Sequence, residues 1–81
     1  MIDARLRKIF ADALTPAVAD SLTPRSTMED VPGWDSQSFI AIVVGIEAEF
    51  GVTFSTLDAA RMSSVGSIVE VLGEKGVRLQ A

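Results

Sequence analysis

The group best placed to do chemistry is a serine hydroxyl near the middle of the chain. Ser36 follows Gly33, Trp34 and Asp35 and begins an apolar run that predicts an amphipathic helix over residues 36–50. The first N–H groups of a helix lack internal partners and carry partial positive charge. A phosphate esterified to Ser36 would therefore be stabilised there without a basic side chain. The alternative is that Asp35 or Ser36 is only a helix N-cap.

Few other residues offer chemistry. The chain has no histidine and no cysteine, which excludes a serine–histidine pair, a thiolate nucleophile, a disulfide and a zinc–sulfur site. Lys8 and Lys75 fall on the exposed sides of predicted helices, so a serine–lysine dyad with Ser36 is not expected. The close carboxylate pairs, at 29–30 and 47–49, lack the oxygen-rich loop of a calcium site. We therefore expect neither an enzyme nor a metal site.

Length and composition predict one small domain over residues 1–81 with an aliphatic core, because 48% of the residues are hydrophobic and few of those are aromatic. No apolar stretch approaches the roughly 18 residues of a membrane span. A net charge of −4 argues against nucleic acid as a partner. Charged residues interrupt the N-terminal apolar pattern, so no secretory signal is expected. We expect a cytoplasmic monomer, and a freestanding one, since the chain begins with Met1 and has no linker at either end.

The spacing of apolar residues predicts four helices, over about 3–14, 36–50, 56–61 and 64–75. The stretch 15–35 lacks this periodicity and holds all three prolines, although Thr15 and Pro16 are suited to begin one extra helical turn. Its apolar residues are expected to anchor it on the helices; they are Val18, Leu22, Met28 and Val31. The predicted fold is all-α, a small four-helix bundle with a long first crossover loop and a short third helix.

The second predicted helix has two apolar faces. Its core face is expected to comprise Phe39, Ile42, Val43, Ile46 and Phe50. A second stripe, close to Ser36, comprises Gln37, Ile40, Val44 and Glu47. Ile40 and Val44 either pack under the long loop or remain exposed for a partner, and the sequence leaves both open.

The last predicted helix closes the bundle. Its core face is expected to comprise Val65, Ile68, Val69 and Leu72. After it the tail 77–81 is expected to fray.

Three motifs taken together resemble the acyl carrier protein family. They are Val31-Pro32-Gly33-Trp34-Asp35-Ser36, then Ile46-Glu47-Ala48-Glu49-Phe50-Gly51-Val52, then Ser64-Val65. They fall in the family's order and spacing along the whole chain. The resemblance implies the four-helix carrier bundle, with 4′-phosphopantetheine transferred from coenzyme A to Ser36 by a separate phosphopantetheinyl transferase. The arm would supply the thiol that this cysteine-free chain lacks.

The resemblance also implies roles for neighbouring residues and partners. Asp35 would assist attachment when the transferase and its metal dock, a role compatible with helix capping. An apolar cleft between the second and third predicted helices would shelter the cargo. Enzymes that load and process an acyl or aminoacyl thioester would be the other partners. A fatty acyl group, a polyketide intermediate and an activated amino acid all remain open as cargo.

Departures from the family pattern bear on docking. Gln37 stands where typical carriers have leucine, and several helix positions that are usually acidic are uncharged here. We therefore predict a specialised carrier whose partner docking depends less on salt than that of a highly acidic carrier. The face is predicted to comprise Gln37, Ile40, Val44, Glu47 and Leu57.

The competing hypothesis is an unmodified helical module for protein–protein interaction, which would use the stripe at Ile40 and Val44. Gln37 favours this alternative. The intact Asp35 and Ser36 speak against it, because such a module has no physical need for that hydroxyl.

Overall fold

A computed structural model describes residues 2–79, and these residues form five α-helices and no β-strand. The helices are α1 (Ala4–Ala13), α2 (Pro16–Asp20), α3 (Ser36–Phe50), α4 (Thr56–Ala60) and α5 (Val65–Glu74). The all-α class is confirmed. The difference from the predicted four helices is α2, which Thr15 caps and Pro16 begins, since proline already has a helical φ and needs no N–H there.

Each of these helices begins at a side chain that accepts hydrogen bonds from the first turn. In α5, Ser64 accepts the Ser67 N–H at 3.0 Å while the Ser67 hydroxyl accepts the Ser64 N–H at 3.0 Å. Such reciprocal bonds satisfy donors that a helix start otherwise leaves open. The N-caps are Asp3, Thr15, Asp35, Ser55 and Ser64.

The core is aliphatic and lies between α1, α3 and α5. Its largest fully buried side chains are Phe10, Leu6, Ile42, Ile46, Met62, Ile68 and Leu72. The predicted face of α5 needs one correction, because Val71 is fully buried while Val69 is 36% exposed. Val69 and Val71 lie on opposite sides of the row formed by Ile68 and Leu72. The spacing of the apolar residues alone therefore did not determine which valine faces the core.

The long crossover between α2 and α3 is ordered. Leu22 and Val31 are buried, and Met28 is partly buried against the core, as is Val18 of α2 just before the crossover. Three backbone hydrogen bonds of 2.9 Å tie this crossover to the start of α5; they run from Met28 N–H to Ser63 O, from Val65 N–H to Ser26 O, and from Gly66 N–H to Pro24 O. The crossover therefore has a fixed path toward the start of α3.

The C-terminal tail packs further than expected. Val77 and Leu79 are partly buried against the core, and Arg5 Nη2 donates to the Arg78 carbonyl at 3.0 Å. The expectation of fraying is therefore wrong for 77–79, while residues 80 and 81 lie outside the described part of the chain.

Candidate functional site

The turn before α3 is fixed by packing. Gly33 has a φ of 82°, a left-handed conformation that glycine adopts without strain. Trp34 is 4% exposed and meets the Phe10 ring edge to face, with the ring centroids 5.1 Å apart. Its indole N–H has no hydrogen-bond partner among residues 2–79, so packing alone holds the ring. Trp34 therefore anchors the turn to α1 and is not free to stack on a ligand.

Asp35 caps α3 through one carboxylate oxygen. Its Oδ1 accepts the N–H groups of Gln37 and Ser38, both at 3.0 Å. The Ser38 hydroxyl accepts the Asp35 N–H at 2.9 Å and donates to the Gly33 carbonyl at 2.7 Å. The bond from the Ser38 N–H, followed by that from Gln37, favours the ionised carboxyl and lowers the pKa of Asp35. Asp35 is therefore a fixed anion.

The second carboxylate oxygen of Asp35 remains available. Its Oδ2 takes part in no hydrogen bond within residues 2–79, and the residue is exposed. Asp35 can therefore cap the helix with Oδ1 while it offers Oδ2 to a docking protein or to a metal ion.

Ser36 is the first residue of α3, and its exposed side chain makes no hydrogen bond within the described residues. The expected phosphate site on free N–H groups needs correction, because Asp35 Oδ1 already accepts those of Gln37 and Ser38. The next N–H group, that of Phe39, donates to the Asp35 carbonyl at 2.8 Å. A phosphate on Ser36 would gain from the helix dipole without being clamped by these donors.

An apolar cleft opens beside Ser36. It has a volume of about 370 Å³ and lies between α3 and α4, at the position that the sequence favoured for a cargo site. Ser36 itself lines the cleft together with an apolar set: Met28, Phe39, Ile40, Ala59, Ala60 and Met62. A flexible chain attached to Ser36 would therefore begin at the edge of an apolar surface.

The predicted partner face is exposed at most of its positions. Ile40 is 63% exposed, Val44 57% and Leu57 80%, and Gln37 is exposed as well. The alternative that the long loop covers Ile40 and Val44 is therefore wrong.

Glu47 differs from the other predicted partner residues. It is half-buried, and its Oε2 accepts the Phe54 N–H at 2.9 Å, which holds the connection between α3 and α4. Asp58 is engaged too, since its Oδ2 accepts the Ser55 N–H and lies 2.9 Å from Lys75 Nζ. Both of these acidic side chains are thus occupied by internal contacts.

Comparison with known protein families identifies the family of the chain. Residues 4–72 match the phosphopantetheine attachment site family. The chain belongs to this family. One similar protein is the acyl carrier protein of Desulforapulum autotrophicum, which is 24% identical over 74 residues that cover 91% of this chain and 96% of that protein.

Membership in the phosphopantetheine attachment family explains how a chain without cysteine can serve thiol chemistry. The family's prosthetic group is covalently attached 4′-phosphopantetheine, and its members are carriers. The resemblance to acyl carrier proteins is therefore confirmed. The residues fit the group, because Ser36 offers an exposed and unbonded hydroxyl beside a cleft with room for a chain.

The described part of the carrier has two further properties. No helix within residues 2–79 is long and apolar enough to cross a membrane. Nor does any group of three or more histidine, cysteine, aspartate or glutamate side chains in that range form a metal site.

Sequence reasoning missed Ser38, which fixes the turn that presents Ser36. A signal was present, since Ser38 lies three residues after the Asp35 cap, the spacing of a capping box. It also missed the pairing of Asp58 with Lys75, which depends on how α4 lies against α5.

Proposed function

We propose that Ser36 receives the 4′-phosphopantetheine arm and that the carrier presents an acyl intermediate, held as a thioester on that arm, to partner enzymes. The observation that supports this most is the position of Ser36: its hydroxyl is exposed, is unbonded within the described residues and stands at the edge of the apolar cleft. The arm contributes the thiol, and the protein contributes a fixed point of attachment.

Asp35 assists attachment through its negative charge and does not act as the base that takes the Ser36 proton. The hydrogen bonds at Oδ1 lower the pKa of its carboxyl, so Asp35 is a weak acceptor for the Ser36 hydroxyl proton. Because the chain has no histidine, we propose that the transferase supplies the base that takes this proton. We assign to Asp35 Oδ2 the contact with the phosphopantetheinyl transferase or with its metal ion.

The cleft between α3 and α4 suits an aliphatic cargo. Its side chains other than serine are apolar, so a hydrocarbon chain would gain by leaving water there. An aminoacyl group would bring an ammonium whose hydration the cleft does not replace. The geometry therefore favours a fatty acyl or polyketide intermediate over an activated amino acid.

The docking face for the transferase and for the loading and processing enzymes comprises Gln37, Ile40, Val44 and Leu57, with Glu47 at its margin. The exposed members carry no charge, and Glu47 already bonds Phe54. Partner affinity should therefore change by less than about threefold between 50 and 300 mM salt, since screening weakens only interactions between charges. An affinity measured by calorimetry that collapsed over this range would rule out an apolar docking face.

The remaining assignments follow from the sequence pattern. We propose that the carrier has no catalytic activity of its own, because it has no imidazole or thiol. We also propose that it works as a cytoplasmic monomer.

Attachment is tested by intact mass after incubation with coenzyme A and a broad-specificity phosphopantetheinyl transferase. We expect one phosphopantetheine on the parent protein and none on Ser36→Ala. Ser63→Ala is the matched control, because Ser63 is an exposed serine that lines the same cleft and whose hydroxyl is likewise unbonded in the described structure. It should be modified like the parent. A folded parent that gains no mass would favour the unmodified interaction module.

A further inference from the structure

The hydroxyl of Ser38 joins the turn before α3 to the first turn of that helix. It donates to the Gly33 carbonyl at 2.7 Å and accepts the Asp35 N–H at 2.9 Å. A hydroxyl has one proton, so the short bond to Gly33 takes it, and the contacts with the Asp35 carbonyl at 3.2 Å and with its Oδ1 at 3.3 Å are secondary. Ser38 thus binds the chain on both sides of the N-cap residue.

The equivalent serine of α5 makes a smaller set of bonds. The Ser67 hydroxyl accepts the Ser64 N–H and donates to the Ser64 carbonyl, both at 3.0 Å, so these two bonds end at the N-cap residue itself. In α3 the bond to Gly33 reaches two residues before the N-cap. Ser38 therefore does more than satisfy a donor at a helix start, because it also fixes the path by which the chain enters the helix.

The side chain of Asp35 depends on this junction. On the helix side, its Oδ1 accepts the N–H groups of Gln37 and Ser38 at 3.0 Å. On the turn side, its own N–H is held by the Ser38 hydroxyl, with the Gly33 carbonyl at 3.1 Å as a second acceptor. These bonds fix the backbone of Asp35 and one of its carboxylate oxygens, which also fixes the position of the other.

We propose that Ser38 is a positioning residue for attachment of the arm: its hydroxyl holds Asp35 in the rotamer in which Oδ1 caps α3 and Oδ2 is free for the transferase. This inference rests on the proposed function of Ser36 and Asp35. Ser38 acts through Asp35 and is not itself a catalytic residue. Without its hydroxyl, Asp35 also occupies other rotamers, and attachment slows because only molecules with the competent rotamer react.

The rate of mass gain with excess transferase, at rising transferase concentrations, separates the maximal rate from the half-saturating concentration. Ser38→Ala should lower the maximal rate about three- to tenfold, the range for one lost neutral hydrogen bond. The half-saturating concentration should stay that of the parent, because the docking face is unchanged. Ser38→Thr keeps the hydroxyl and should restore most of the rate. A Ser38→Ala variant with the parent's maximal rate, whatever its half-saturating concentration, would overturn the proposal.

Ser67→Ala is the matched control. It removes the same hydroxyl from the same position of the capping box in α5, where the serine is half-buried as Ser38 is. It should lose stability through its cap and keep the parent's maximal rate. If it slows attachment as much as Ser38→Ala does, lost stability and not positioning is the cause, and the proposal fails.

A double-mutant cycle tests whether Ser38 acts through Asp35. In an Asp35→Asn background the charge that Ser38 positions is gone, so adding Ser38→Ala should change the maximal rate by less than about twofold. Effects that multiply, each as large as in the parent background, would show that Ser38 acts independently of Asp35 and would contradict the proposal.

Nuclear magnetic resonance gives a readout that does not depend on the transferase. Three-bond couplings of the Asp35 side chain should show one rotamer in the unmodified parent and averaging in Ser38→Ala. Averaged couplings in the parent would overturn the proposal without any variant, so the measurement decides even if Ser38→Ala does not fold. A parent that shows one Asp35 rotamer and yet gains no phosphopantetheine would overturn the proposed function instead.

Discussion

At the residue scale, the two oxygens of Asp35 have separate surroundings. Oδ1 accepts two N–H groups of α3, and Oδ2 bonds nothing within residues 2–79. Capping and assistance to attachment can therefore be separated by mutation, because asparagine keeps an oxygen for the cap and loses the charge.

We expect Asp35→Asn to lower the thermal midpoint only slightly, because asparagine still caps the helix but lacks the charge that the Oδ1 hydrogen bonds favour. Attachment of phosphopantetheine should slow by roughly tenfold or more, the loss typical of one hydrogen bond to a charged group. Asp35→Ala should lose both stability and attachment rate. Thermal denaturation and the rate of mass gain measure the two effects, and an Asp35→Asn variant modified at the parent's rate would contradict the assignment of Oδ2.

At the scale of single elements, two glycines of α5 predict opposite responses to alanine. A Cβ on Gly66 would lie 2.7 Å from the Pro24 carbonyl oxygen, where the crossover meets the helix, whereas one on Gly73 would meet nothing within 4 Å. Gly66→Ala should lower the free energy of unfolding by about 1–3 kcal/mol, the usual cost of overpacking. Gly73→Ala should raise it by about 0.5–1 kcal/mol, because alanine favours a helix. Urea unfolding measures both changes. A Gly66→Ala variant as stable as the parent would mean that the contact between the new Cβ and the Pro24 carbonyl relaxes.

The elements also show what the sequence could predict. The sequence predicted that Asp35 and Ser36 stand at a helix start, and it predicted where most other helices begin. These features depend only on an N-cap residue and on the apolar spacing that follows it in the chain. The sequence could not predict which side of α5 is buried or whether Ile40 and Val44 are exposed, because both features depend on where the long crossover runs. Glu47 was predicted to bind partners, whereas its bond to Phe54 shows that it also holds the next connection. Its partner role stays a prediction.

At the scale of the whole molecule, stability between pH 2 and pH 8 should depend on pH mainly in the acid range. The Ser55 N–H and then Lys75 lower the pKa of Asp58 to about 2, and Arg61 lowers the pKa of Glu74. Carboxyls with lowered pKa values stabilise the fold above their unfolded-state pKa, so this contribution is complete above about pH 5 and falls toward pH 2. With no histidine in the chain, little change is expected from pH 5.5 to 7.5.

Thermal midpoints across pH 2–8 provide the measurement for this prediction. Asp58→Asn should be less stable than the parent at pH 7 and should lose less stability between about pH 4 and pH 2, because its own acid transition has been removed. A parent whose midpoint is the same at pH 2.5 and pH 6 would contradict the role of these pairs.

The packed tail and Ser36 lie at opposite ends of α3. Arg5 lies 4.7 Å from the ring of Phe50, the last residue of α3, and also bonds the carbonyl of Arg78. Both ends of the described chain therefore meet at one pole, and Ser36 stands at the other end of a 15-residue helix, about 20 Å away. A support, a label or a second protein attached at residue 2 or residue 79 would lie on the side of the molecule opposite Ser36, where it would not obstruct the arm.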